Sequence, residues 1–68
     1  MAANWKLTQL HQRVLSGLAD GETLGEIAGA VGLSEQALRA VLGSAVAVTG
    51  ARSVAHAVVL YDRVRRIC

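Results

Sequence analysis

Thr23-Leu24-Gly25-Glu26-Ile27-Ala28-Gly29-Ala30-Val31-Gly32-Leu33-Ser34-Glu35-Gln36-Ala37-Leu38-Arg39 is the stretch that decides the fold. The Thr23 hydroxyl suits a free amide of a first helical turn. Glu26, three residues on, suits the Thr23 amide in return. Ile27, Ala28 and Val31 then recur at helical spacing. Gly32 follows the last periodic residue, where a left-handed backbone ends a helix. Leu33 is expected to plug the angle between two helices, and Ser34 to cap the second. The stretch therefore reads as helix, tight glycine turn, helix.

Two further helices flank it. The first helix is predicted from about Gln9 to Ala19 with Thr8 as its cap, and Asp20-Gly21 ends it. Leu10, Val14, Leu15 and Leu18 make one apolar face on it. The second helix runs from about Leu24 to Val31. The third begins after Ser34 and passes through Leu38, Val41, Leu42 and Ala45 to about Val48, with Thr49-Gly50 as its stop. The fourth follows Ser53 and reaches about Arg66. Only Ala45–Thr49 also fits a strand pattern. Absence of Pro, and Gly at 21, 32 and 50, agree with an all-helical chain. The expected fold is all-α: one small four-helix helix-turn-helix domain over 1–68, with 1–6 as an N-terminal extension.

Composition narrows the choices. With 68 residues, 53% hydrophobic but only 3% aromatic and no Phe, the core must be built from Leu, Val, Ile and Ala. Trp5 is expected to cover it. Net charge is +2 and the pI near 9.3, which permits a polyanionic partner. The most apolar stretch, Val54–Leu60, is broken by His56 and is far short of the roughly 20 residues a membrane helix needs. The single Cys, at position 68, leaves no internal disulfide and fits a cytoplasmic setting. The first residues carry no signal-peptide pattern.

Leu7-Thr8, Val14-Leu15, Ala19-x-Gly21, Glu26-Ile27-Ala28, Gly32-Leu33-Ser34, Arg39, Leu42, Gly50 and Ala57-Val58 together resemble the LuxR/GerE-type helix-turn-helix domain. The likeness spans about Leu7 to Ile67. It implies four helices, the third reading DNA and the fourth often pairing two subunits. Several positions depart from the family's pattern. Leu10 and His11 stand where the family has Arg-Glu. Ala37-Leu38-Arg39-Ala40-Val41 stands for Thr-Val-Lys-x-His. Val48 replaces a basic residue, and Ser53-Val54 replaces a pair ending in Arg.

A third helix that buries Leu38, Leu42 and Ala45 presents Glu35, Gln36, Arg39, Ala40 and Gly43 on its other side. Gln36 suits an adenine edge, Arg39 a guanine or a phosphate, and Glu35 a cytosine amino group. Ala40 and Gly43 permit close approach. Thr23 and Ser34, at the two helix starts, complete the candidate DNA face with Arg52. Arg52 is the better phosphate candidate, because Arg63, Arg65 and Arg66 equally complement a helix C-terminus. The fourth helix carries more apolar surface than one core contact needs. Val54, Val58, Leu60, Tyr61 and Val64 are the candidate dimer or partner seam, widened by Val59 and Ile67.

His11 and His56 match no metal-ligand spacing, Cys68 has no recognisable base, and no phosphate loop is present. No catalytic residue, metal or cofactor is expected, and the chain reads as a non-enzyme. Two functions remain open. One is a sequence-specific transcriptional regulator binding double-stranded DNA as a homodimer. The other is a module that kept the fold, lost the DNA face and binds another regulator or the transcription machinery.

Overall fold

The computed structural model describes residues 7–67, and of Ile67 only its helical backbone. The 1–6 extension, Trp5 as a core cover, and Cys68 lie outside the described residues. Four helices follow in order: α1 (Gln9–Ala19), α2 (Leu24–Val31), α3 (Glu35–Thr49) and α4 (Val54–Ile67). There is no strand among the described residues. Ala45–Thr49 is helical because Ala45 continues the buried row begun by Leu38 and Leu42. The Thr49 hydroxyl donates back to the Ala45 carbonyl at 2.9 Å, as a helical residue does.

The helix starts are fastened as the sequence predicts. Thr23 Oγ1 accepts from the Glu26 amide at 3.1 Å, and the Thr23 amide donates to Glu26 Oε1 at 2.8 Å. Ser34 Oγ accepts from the Ala37 amide at 3.1 Å. Three helices end on a glycine with positive φ, namely Gly21, Gly32 and Gly50. At Gly32, φ is +76° and its amide bonds the Ala28 carbonyl at 2.9 Å, with the Leu33 amide adding a 3.1 Å bond to the same oxygen. A β-carbon is penalised in that conformation. Leu33 itself does not plug the interhelical angle. It is 40% exposed and outside the core cluster, since the turn spends its amide on α2 and leaves its side chain outward.

The core is wholly aliphatic: Val14 and Leu15 of α1, Ile27 and Ala28 of α2, Leu38, Leu42 and Ala45 of α3, and Ala57 of α4. Helix α1 packs against all three others, whereas α2 and α4 do not touch. This arrangement leaves one side of α3 free along its length. Closeness between α1 and α2 depends on Gly17. A β-carbon there would lie 2.9 Å from Ile27 Cδ1 and 2.7 Å from Arg13 Nη1. Gly29, by contrast, is exposed with nothing within 4 Å of such an atom.

These glycines predict opposite responses. Gly17→Ala is expected to cost about 1–3 kcal/mol through overpacking. Gly32→Val should cost roughly 1 kcal/mol or more through backbone strain. Gly29→Ala should gain up to about 1 kcal/mol of helix propensity. Urea unfolding midpoints at unchanged slope check all three.

Candidate nucleic-acid interface

The exposed side of α3 carries every residue assigned to it from sequence. Glu35, Gln36, Arg39, Ala40 and Gly43 are all exposed, while Leu38, Leu42 and Ala45 face inward. Spacing fixes this division, because the buried residues recur at intervals of four and three and the others fall between them. No large apolar side chain is exposed on α3. The exposed ones are Leu33, Val54 and Val59, before and after it. Gly43 has nothing within 4 Å of where a β-carbon would sit, so its lack of a side chain serves no contact inside the protein.

The start of α2 lies beside the start of α3. A β-carbon at Gly25 would stand 3.7 Å from Glu35 Oε2 and 4.0 Å from Thr23 Oγ1. Thr23, Glu35 and the capping Ser34 are therefore brought to one end of the face. Two carboxylates sit at this end. Glu26 is held below the usual carboxylate range, first by the Thr23 backbone N–H it accepts. Arg52 lies beyond the other end of α3, about 20 Å further at 1.5 Å per residue. Its side chain is exposed, and its amide donates to His56 Nδ1 at 3.0 Å.

The cations divide into two sets. Arg65 donates to Asp20 at 2.8 Å and to Asp62 at 2.9 Å, and Arg66 donates to Asp62 at 2.8 Å. Arg13 pairs with Glu22 at 3.0 Å. Arg39, Arg52 and Arg63 have no carboxylate within 4.0 Å among the described residues and are all exposed. Of the arginines clustered near the end of α4, two are thus engaged in joining α4 to itself and to the end of α1. Arg65 is held yet more firmly protonated, by Asp20 first and then by Asp62. Asp62 is held below the usual carboxylate range, first by the Arg65 hydrogen bond. The Asp20–Arg65 pair spans 45 residues of sequence and has no local signal.

On α4 the candidate seam splits. Val58 and Tyr61 pack against the protein's own core and are half-buried without any partner. Leu60 and Val64 are half-buried outside that cluster, Val54 is 39% exposed and Val59 47% exposed. Val54 and Val59 are the exposed large apolar residues of α4 among the described residues. His11 is another residue that sequence reasoning left without a role. It is buried, accepts the Thr8 amide at Nδ1, and places Nε2 3.1 Å from Ser44 Oγ on α3. The available signal was its position three residues after the capping Thr8.

The described residues enclose no pocket, and no group of three or more potential metal ligands forms among them. No single helix is long and apolar enough to cross a membrane. In comparisons with known proteins, no family model, no curated protein and no solved structure matches the chain.

Asp62→Asn should lower the melting temperature at neutral pH by removing two ion pairs, and less so at high salt. A depressed carboxylate stabilises above its unfolded value, about 3.9, and stops doing so as pH falls through its folded value. The gap between wild type and variant is therefore expected to close in strong acid, as measured by thermal unfolding across pH.

Proposed function

We propose that this chain is a DNA-binding helix-turn-helix domain of the LuxR/GerE kind, a transcriptional regulator and not an enzyme. It works in the cytoplasm as a homodimer on double-stranded DNA. The observation that carries this reading is the free face of α3. It is a full-length helix side with small or polar residues only, one unpaired Arg at its middle and another just past its end. Such a face lets a helix backbone come close to base edges, which bulky apolar side chains would prevent.

Each residue has a role in this reading. Gln36 hydrogen-bonds a base edge, Arg39 a guanine or phosphate, and Glu35 a cytosine amino group. Thr23 and Ser34 offer hydroxyls to the backbone near the α2 and α3 starts, and Arg52 holds a phosphate at the far end. Ala40 and Gly43 allow close approach. The second chain docks on α4 through Val54, Leu60, Val64 and the neighbouring Val59. The exposed Val54 and Val59 also support the second reading, a module that binds a protein of the transcription machinery through α4.

Binding to duplexes selected from a random pool tests the proposal. Wild type is expected to bind at low salt, with half-sites about one helical turn apart. Gln36→Ala should relax preference at one base position, a loss of about 1–3 kcal/mol of discrimination. Arg52→Ala should weaken all sequences alike and flatten the salt slope by about one unit. Gly43→Ala should raise stability by up to about 1 kcal/mol yet weaken binding. Leu60→Glu should shift the solution mass toward monomer. Absence of binding to any duplex at low salt overturns the DNA reading and leaves the protein-binding module.

A further inference from the structure

Helix α4 turns outward a stripe that nothing among the described residues covers. His56, Val59, Arg63 and Arg66 recur at intervals of three, four and three and are all exposed, with Ala55 exposed beside them. Val59, at 47%, is the most open of the large apolar residues described. Arg63 has no carboxylate within 4.0 Å among the described residues. Arg66 meets Asp62 along its own helix, yet its side chain stays 76% exposed. Asp62 is the single acid of α4 and is engaged by Arg65 and Arg66. The stripe is thus apolar at its middle and positive toward the helix C-terminus. It also lies apart from the α3 face. Helices α1, α3 and α4 all pack on one another, and three helices in mutual contact turn their outward sides in different directions.

We propose that this stripe docks an acidic amphipathic helix of a different protein, lying antiparallel to α4. Carboxylates suit Arg63 and Arg66, because the guanidinium fork takes a carboxylate with two hydrogen bonds. Acids are favoured in the first turn of a helix. An antiparallel partner brings its first turn to the end of α4, where Arg63 and Arg66 stand, and its following apolar residues to Val59 and Ala55. An apolar centre beside arginines is the make-up of a protein–protein contact. A phosphate backbone pairs with Arg63 and Arg66 but offers nothing to Val59. An anionic bilayer needs a broad apolar face, whereas Val54 and Val59 are spaced so that they fall on different sides of the helix. A second copy of α4 is poorly matched: it has no acid in its first turn, so it sets arginines or His56 against these arginines. The docking rests on neither DNA binding nor the homodimer proposed above. Val59 belongs to that seam too, so a second copy and the acidic helix exclude one another there.

The test titrates the full chain, diluted until its solution mass is that of a monomer, with a synthetic peptide of about 20 residues, long enough to hold a helix in part. The peptide carries glutamates in its first turns and leucine and alanine at helical spacing after them. A second peptide has lysines in place of the glutamates. Amide NMR shifts at Val59, Arg63 and Arg66 are expected to move with the acidic peptide and to stay put with the basic one. Movement confined to α3, or equal responses to the two peptides, none included, overturns the proposal. Arg63→Ala should weaken binding of the acidic peptide about two- to fivefold, as loss of an exposed ion pair does. Val59→Ala should weaken it about fourfold or more, the worth of a buried methylene. Both side chains are exposed, so both variants keep the fold. Binding of random duplex DNA is measured alongside. If Arg63→Ala weakens the duplex and spares the peptide, the stripe is a phosphate contact and the proposal is overturned. Gln36→Ala is expected to leave peptide binding unchanged, so failure here and failure of the DNA reading are told apart.

Discussion

Everything else in the structure depends on how closely an aliphatic core can bring four short helices together. With no Phe in the chain and a buried core made only of aliphatic side chains, the helices approach where small residues meet large ones. Gly17 of α1 against Ile27 of α2 is one such place, and the buried Ala28, Ala45 and Ala57 put further small side chains in the core. Because α1 touches every other helix, the spacing set at Gly17 passes directly to α3 and α4. Val14 and Leu15 then lie fully buried at the centre. A domain of this size has little stability to spare, so the capping bonds and glycine helix ends add a real share to what the core supplies.

That geometry leaves an electrostatic consequence. Asp20 and Asp62 stand where α1 ends and α4 nears its end, and together they draw in Arg65 and Arg66. Glu22 draws in Arg13. The pairs are partly exposed and each contributes modestly. Their larger effect is distributional. Arg65 and Arg66, neighbours in sequence, are neutralised within the fold, while Arg39, Arg52 and Arg63 keep their charge outward. On α3 and the turn after it, Glu35 offsets one of the two outward arginines, Arg39 and Arg52. Glu26 and Glu35 limit the positive field at the beginning of α3.

The helices and their ends were legible from local rules. Thr8, Thr23 and Ser34 as caps, and glycines 21, 32 and 50 as stops, require only neighbours three to five residues away. The outward set on α3 was legible for the same reason, since Leu38, Leu42 and Ala45 fix one side and leave the other to Gln36, Arg39, Ala40 and Gly43. Leu33 was misread because the apolar pattern shows that a residue is hydrophobic, not which way a turn directs it.

Tertiary packing alone decided the rest. Whether Val58 and Tyr61 face the core or a partner depends on the rotation of α4 against α1, and a helix apolar over a wide arc fits either in sequence. Asp20 reaches Arg65 only because α1 and α4 lie side by side. His11 meets Ser44 only because α3 crosses the start of α1. Hydrogen bonds along a helix are set by residues that follow one another, so the chain order contains them. Contacts between helices depend on the packing distance and on helix rotation, which every core side chain fixes jointly and no short stretch of sequence specifies.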